Sequence, residues 1–130
     1  ALRDSGHARD YVEMQWMMLQ QANPQDFVIA TGIQTSVRAF IELCAKELNW
    51  GGIKWEGEDT NEIGRRVDNN NVVIRIDPKF FRPAEVNSLL GDPSKAKKLL
   101  GWEPSTTLSE LVREMITEDI INAKKENKLQ

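Results

Sequence analysis

One capped and unbroken helical stripe limits the fold most. Val37, Phe40, Ile41, Cys44, Ala45 and Leu48 recur at helical spacing, which lines them up on one face of an amphipathic helix. Ser36 stands where its hydroxyl can accept from a first-turn amide, and Asn49-Trp50-Gly51-Gly52 supplies the stop. The spacing predicts a helix over 36–48. Leu108, Leu111, Val112, Met115, Ile116 and Ile120 form a second stripe behind Thr107-Leu108-Ser109-Glu110, which has the form of a capping box. They predict a helix over 109–123, with Lys124, Lys125 and Lys128 favouring its dipole and a tail that frays.

Between and around these two helices the pattern is mixed. Tyr11, Met14 and Met18 lie on one stripe and Val12, Trp16 and Leu19 on the next, so a first helix starts soon after His7 and ends at Asn23-Pro24. Asp10 falls in its first turns, where a carboxylate suits the dipole. This apolar face reads as core, yet with Trp16, Met17 and Met18 it is broader than one buried face requires. Apolar surface on this helix and at the turn around Arg82 is therefore expected to be exposed, or to pair with another copy.

Phe27-Val28-Ile29-Ala30 reads as a short buried strand, Ile53-Lys54-Trp55-Glu56 as a strand with one wet face, and Val72-Val73-Ile74-Arg75-Ile76 as a third strand. The polar stretch 57–71 reads as a long loop. In it, Arg65 and Arg66 are either solvated charges or contacts for an anion or a neighbouring subunit. Asp92 and Pro93 open a short helix that turns Ala96, Leu99 and Leu100 inward, Lys95, Lys97 and Lys98 outward, and ends at Gly101. The order is helix, strand, helix, strand, loop, strand, turn and two helices. The fold class is α/β, close to α+β: a small mixed domain of about four helices and three short strands.

A chain of 130 residues suits one domain with a real core. A net charge of −3, with no stripe of lysine or arginine, argues against a nucleic-acid partner. Cys44 has no second cysteine to bridge to and reads as a buried thiol in a reduced compartment. No signal-like segment and no membrane-length apolar run is read, so a cytoplasmic location without membrane contact is expected. There is no Gly-rich nucleotide fingerprint, no phosphate loop, no Tyr/Lys base pair at helical spacing and no metal-ligand cluster. His7 is the only histidine, and no triad can be built around it.

What chemistry remains sits in Phe81-Arg82-Pro83-Ala84-Glu85-Val86. Arg82 can fork onto phosphate oxygens, Glu85 can accept from the hydroxyls of a sugar, and Pro83 stiffens the turn between them. The same residues also fit a plain surface turn with two solvated charges.

Arg3-Asp4-Ser5-Gly6-His7-Ala8-Arg9-Asp10-Tyr11-Val12 is similar to the segment that opens the substrate-domain helix in nucleotide-sugar enzymes of the extended short-chain dehydrogenase/reductase family. Further along come Asp26-Phe27-Val28-Ile29-Ala30-Thr31-Gly32 with Ser36-Val37-Arg38, then the Arg82 motif. Leu90-Gly91-Asp92-Pro93-Ser94-Lys95-Ala96 and Leu100-Gly101-Trp102-Glu103-Pro104 complete the series. In that order and spacing the chain resembles the GDP-mannose 4,6-dehydratase family over nearly its whole length. Ser5 departs from the family's usual tryptophan, which bears on the packing beside Arg3.

The resemblance implies that residues 1–130 are a C-terminal substrate-binding domain. It assigns NADP to a Rossmann domain N-terminal to it, along with the Thr/Ser, Glu, Tyr and Lys that act on the sugar. No catalytic, cofactor-binding or metal-binding residue is then expected here, and the chain alone is expected to be inactive. Arg3 and Arg82 match the family's phosphate-binding arginines and Glu85 its ribose-binding carboxylate. The implied parent is a homo-oligomer that converts GDP-mannose to GDP-4-keto-6-deoxymannose, on the way to GDP-fucose and other deoxysugars. Two alternatives stay open: the same part of another nucleotide-sugar epimerase or dehydratase, and a non-catalytic domain that binds an anion or a partner.

Overall fold

The 36–48 stripe folds as expected and organises what surrounds it. In the computed structural model, which describes residues 1–129, the chain runs β1 (Leu2–Asp4), α1 (Ala8–Leu19), β2 (Gln34–Ser36), α2 (Val37–Glu47) and β3 (Ile53–Glu56). It continues with β4 (Ile63–Arg66), β5 (Val72–Arg75), α3 (Ser94–Leu100) and α4 (Leu108–Leu129). The Ser36 hydroxyl accepts from the Ala39 amide at 3.0 Å and starts α2. The capping box of α4 closes in both directions: Thr107 N–H donates to Glu110 at 2.8 Å, and Glu110 N–H donates to the Thr107 hydroxyl at 3.2 Å. Helices α2 and α4 pack on each other, burying Ala45 and Val112.

A second core lies under α1. Met14, Ala96 and Trp102 are buried together, with Tyr11, Met17, Phe27 and Leu100 packed around them. Burying Met14 alone contributes about 1.5–3 kcal/mol relative to leaving it in water. The other stripe of α1 does not join this core. Val12, Trp16 and Leu19 are exposed, Trp16 at 62%, because the core beneath the helix is narrow and is filled from the Met14 side. Leu99, expected inward on α3, is exposed as well.

The mixed fold with four helices is as expected, but among the described residues five short strands in two small antiparallel sheets stand where three short strands were expected. One is the order β3-β4-β5, so the polar stretch 57–71 is not a loop throughout: Ile63–Arg66 is its central strand. The signal was Gly64, which weakens a strand reading yet is what this position needs. A Cβ there would sit 3.0 Å from both Ile53 and Ile74 and 3.1 Å from Trp55. The bare backbone lets those three side chains cover the middle of the sheet. The other sheet pairs β1 with β2, Arg3 opposite Thr35. Residues 87–89 extend it on the far side of β1: Leu2 N–H donates to Asn87 O at 2.8 Å, and Leu89 N–H donates to Leu2 O at 3.1 Å.

The expected strand at Phe27-Val28-Ile29-Ala30 is not formed. Among the described residues it has no ladder partner. It is held by side chains instead: Phe27 and Ile29 pack on the α1 core, and the Lys95 ammonium lies over the Phe27 ring and donates to Asp26 O at 2.7 Å. Helix α4 does not fray after 123 but runs to Leu129. Its long straight-chain residues keep it helical although its last turns are exposed.

Candidate functional site

Strand β1 is three residues long, and its pairing on both sides sets the direction of its side chains. The Arg3 guanidinium is thereby turned toward the 85–89 segment. Its Nη1 donates to Leu2 O and Val86 O, both at 2.9 Å, and its Nη2 donates to Glu85 Oε1 at 2.9 Å. Two of the three residues singled out in the sequence therefore meet, from positions 82 apart. Both side chains keep contact with solvent.

The third does not join them. Arg82 is exposed and makes no hydrogen bond or ion pair among the described residues. The bend that presents it begins at Asp77, whose carboxylate accepts from Lys79 N–H at 2.9 Å and whose carbonyl accepts from Phe80 N–H at 3.0 Å. Phe80, Phe81 and Val86 are exposed around it. Together with Trp16 they bear out the expectation of apolar surface at α1 and at this turn.

Asp4, next to Arg3, was not singled out, yet it is the most heavily bonded carboxylate of the site. One oxygen accepts from the Thr31 amide at 2.9 Å and from the Thr31 hydroxyl; the other accepts from the Gly32 amide at 2.9 Å. Burial pushes its carboxyl up, but the bonds from Thr31, Gly32 and the Gly91 amide outweigh that and hold it below the ordinary value. Arg3, Asp4, Tyr11, Val28, Ala30 and Leu90 line a cleft of about 320 Å³. Burial raises the Tyr11 phenol, and the charges of Asp4 and Asp10 raise it further. The clue in the sequence was the Thr31-Gly32 pair, two amides and a hydroxyl in a short bend, but its acceptor lay 27 residues away.

Ser5 opens a separate hollow of about 140 Å³ lined by Thr31, Thr35, Pro104 and Thr106, where a small hydroxyl leaves space beside β1. The other candidates prove structural. His7 caps α1, its Nδ1 accepting from Arg9 N–H at 2.9 Å, and its Nε2 lies 3.1 Å from Glu114. Cys44 is partly buried rather than fully buried, and burial and the Asp119 charge push its thiol up. Arg65 pairs with Glu56 at 3.1 Å, while Arg66 forks onto Asp68 at 2.9 and 2.6 Å and lies over the Trp50 ring. Both belong to β4 rather than to a loop reaching for an anion. Among the described residues no group of His, Cys, Asp and Glu could hold a metal ion, and no helix is long and apolar enough to cross a membrane.

What the site offers is a guanidinium already arranged around a carboxylate, with a second, free guanidinium on the same segment. Such an arrangement suits an anion with hydroxyls close by. Comparison with known proteins gives that chemistry a setting. Residues 1–115 match the family model described as GDP-mannose 4,6 dehydratase. A GDP-mannose 4,6-dehydratase of Vibrio cholerae is 55% identical over 130 residues, covering 92% of this chain and 35% of the relative. GDP-mannose 4,6 dehydratase 2 of Caenorhabditis elegans is 52% identical over 92% of this chain and 31% of its own length. The Homo sapiens GDP-mannose 4,6 dehydratase is 48% identical over 92% and 32%. The chain thus spans about a third of the length of the curated relatives it matches. With its ordered motifs, its mixed fold and a family match over residues 1–115, the chain belongs to the GDP-mannose 4,6-dehydratase family.

Proposed function

We propose that this chain is the nucleotide-sugar-binding part of an enzyme that converts GDP-mannose to GDP-4-keto-6-deoxymannose, and that it grips the nucleotide end of the substrate. The contact between Arg3 and Glu85, 2.9 Å long and joining residues 82 apart within the family-matched stretch, carries the reading. Arg3 and Arg82 bind the diphosphate. A carboxylate oxygen now occupies the position on Arg3 that a phosphate oxygen would take, and the charge and fork geometry suit both. Glu85, released from Arg3, accepts from the ribose hydroxyls.

NADP, which the family implies, does not fit the residues of this chain. Gly51 and Gly52 lie between a helix and a strand, in α2–β3 order, rather than between a strand and a helix where a dinucleotide's pyrophosphate is cradled. The cofactor and the groups that act on the hexose therefore belong to polypeptide outside this chain, as a Rossmann domain N-terminal to it would provide. The chain's own work is binding and alignment. Incubated alone with GDP-mannose and NADP, it is expected to form no 4-keto sugar above a blank.

The test is made in the full-length enzyme. Arg82→Ala removes a charge-assisted contact worth roughly 1.5–3 kcal/mol and raises KM for GDP-mannose about ten- to a hundredfold, with kcat little changed. Arg82→Lys recovers part of this, because a point charge lacks the fork. An unchanged KM in Arg82→Ala leaves the motif as a surface turn.

A further inference from the structure

The cleft beside Arg3 is walled, with Tyr11 of α1, by three stretches of chain that share little secondary structure: Arg3 and Asp4 of β1, residues 28–30 and residues 89–91. Something other than a sheet must hold them in register. Backbone bonds from Leu2 to Asn87 and Leu89 tie the first to the third. The second packs on the α1 core through Ile29 and the Phe27 before it, and its end is tied to β1 by one side chain. Asp4 takes the Thr31 hydroxyl and the amides of Thr31 and Gly32 on its two oxygens.

Packing supports the same point. Segments 28–32 and 85–91 approach so closely that a Cβ on Gly91 would lie 2.2 Å from the Ala30 Cβ, well inside any tolerated contact. Only a bare backbone at Gly91 lets the third stretch lie against Val28 and Ala30 of the second.

From this geometry we infer that Asp4 is the positioning residue of the nucleotide site: it ties the segment at Thr31 and Gly32, against whose Ala30 Gly91 packs, to the strand that carries Arg3, and so sets the spacing of Arg3 and the segment that carries Arg82 and Glu85. The inference rests on the proposed nucleotide-binding reading. It gives Asp4 no contact with substrate. Its effect passes through the segment that carries Glu85 and Arg82 and through the strand that carries Arg3. A site held out of alignment loses binding, and a small displacement is enough to matter.

The experiment uses the full-length enzyme with GDP-mannose as the varied substrate. Asp4→Asn keeps the volume but sets an amide group against backbone amides that need an acceptor. It is expected to raise KM for GDP-mannose about tenfold while changing kcat by less than about twofold. A merely structural role would instead reduce the amount of active enzyme, lowering apparent kcat at unchanged KM, and that result overturns the inference. Should Asp4→Asn fail to fold, Thr31 decides. Thr31→Val removes one donor to Asp4 and is expected to raise KM by about threefold, and Thr31→Ser, which keeps the hydroxyl, to leave it near the parent value. Equal KM values for the two variants overturn the inference. Arg82→Ala, run alongside, separates the two levels. If it raises KM while Asp4→Asn and Thr31→Val do not, the positioning role falls and the site stands. If it leaves KM unchanged, site and positioning role fall together.

Discussion

Asp10 and Glu85 are both carboxylates that reach across the chain to a distant partner, and they are used in opposite ways. Asp10 is 1% exposed on α1. Its oxygens accept from the Ser105 hydroxyl at 2.7 Å and the Thr106 amide at 3.0 Å, while its own carbonyl accepts from the Trp102 indole at 3.1 Å. Every donor is neutral, and Asp10 joins α1 to the link between α3 and α4. Glu85 is half exposed and meets one partner, a charged one, at the rim of a cleft. A buried carboxylate satisfied by neutral donors is committed to holding the fold, because losing it strands those donors away from water. An exposed carboxylate on an arginine can be exchanged for another anion at little cost.

The sharpest way to break this contrast is Asp10→Ala. It leaves the Ser105 hydroxyl and Thr106 amide without their acceptor and should destabilise the fold by about 3 kcal/mol in denaturant unfolding. A loss comparable to that of a surface substitution would put Asp10 and Glu85 in the same class. The pH dependence follows in sign. Burial raises the Asp10 carboxyl, but the bonds from Ser105 and Thr106 outweigh it and hold the folded value below the ordinary 3.8. The stabilisation is therefore full above that value and is lost as pH falls through the lower, folded one. Asp10→Asn should flatten this acid limb of the stability curve, leaving the part that Asp4 and the other lowered carboxylates, Asp68, Asp92 and Glu110, supply. An unchanged limb in the Asn variant would remove Asp10 from the account. The smallest effect belongs to Glu85→Ala, which should change stability by less than about 1 kcal/mol, since the pair it breaks is at the surface. A larger cost in the same unfolding measurement would make the Arg3–Glu85 pair a structural clamp.

How much of this was legible in the sequence depends on how local each feature is. The caps at Ser36 and Thr107 and the Gly101 stop of α3 lie within a few residues of what they act on and formed as read, as did helix α2, although Val37 at the head of its stripe is exposed. Central strand β4 was missed because Gly64 and the arginines beside it read as loop, and the residues that make a glycine necessary there lie on neighbouring strands. Phe27-Val28-Ile29-Ala30 was over-read for the converse reason: its composition suits a strand, but a strand exists only where a partner does. At the site, Arg3, Arg82 and Glu85 could be singled out through resemblance, whereas the pairing of Arg3 with Glu85 and the roles of Asp4 and Asp10 depend on contacts across 27 to 95 residues. No spacing pattern reports those.

The bonds between Leu2 and residues 87–89 also bear on the order in which the molecule assembles. Joining segments that far apart in the chain confines most of the domain as a loop, whereas the β3–β4 hairpin closes over a few residues. The hairpin is therefore expected to form early and the cleft beside Arg3 late. The cleft should also open before the rest when the protein fluctuates, so the Leu2 and Leu89 amides should exchange with solvent faster than those paired in β4. Leu2 to Asn87 and Leu89, and Arg3 to Glu85, already close that long loop, so on the proposed reading an anion bound there would add to the stability of the join that forms last.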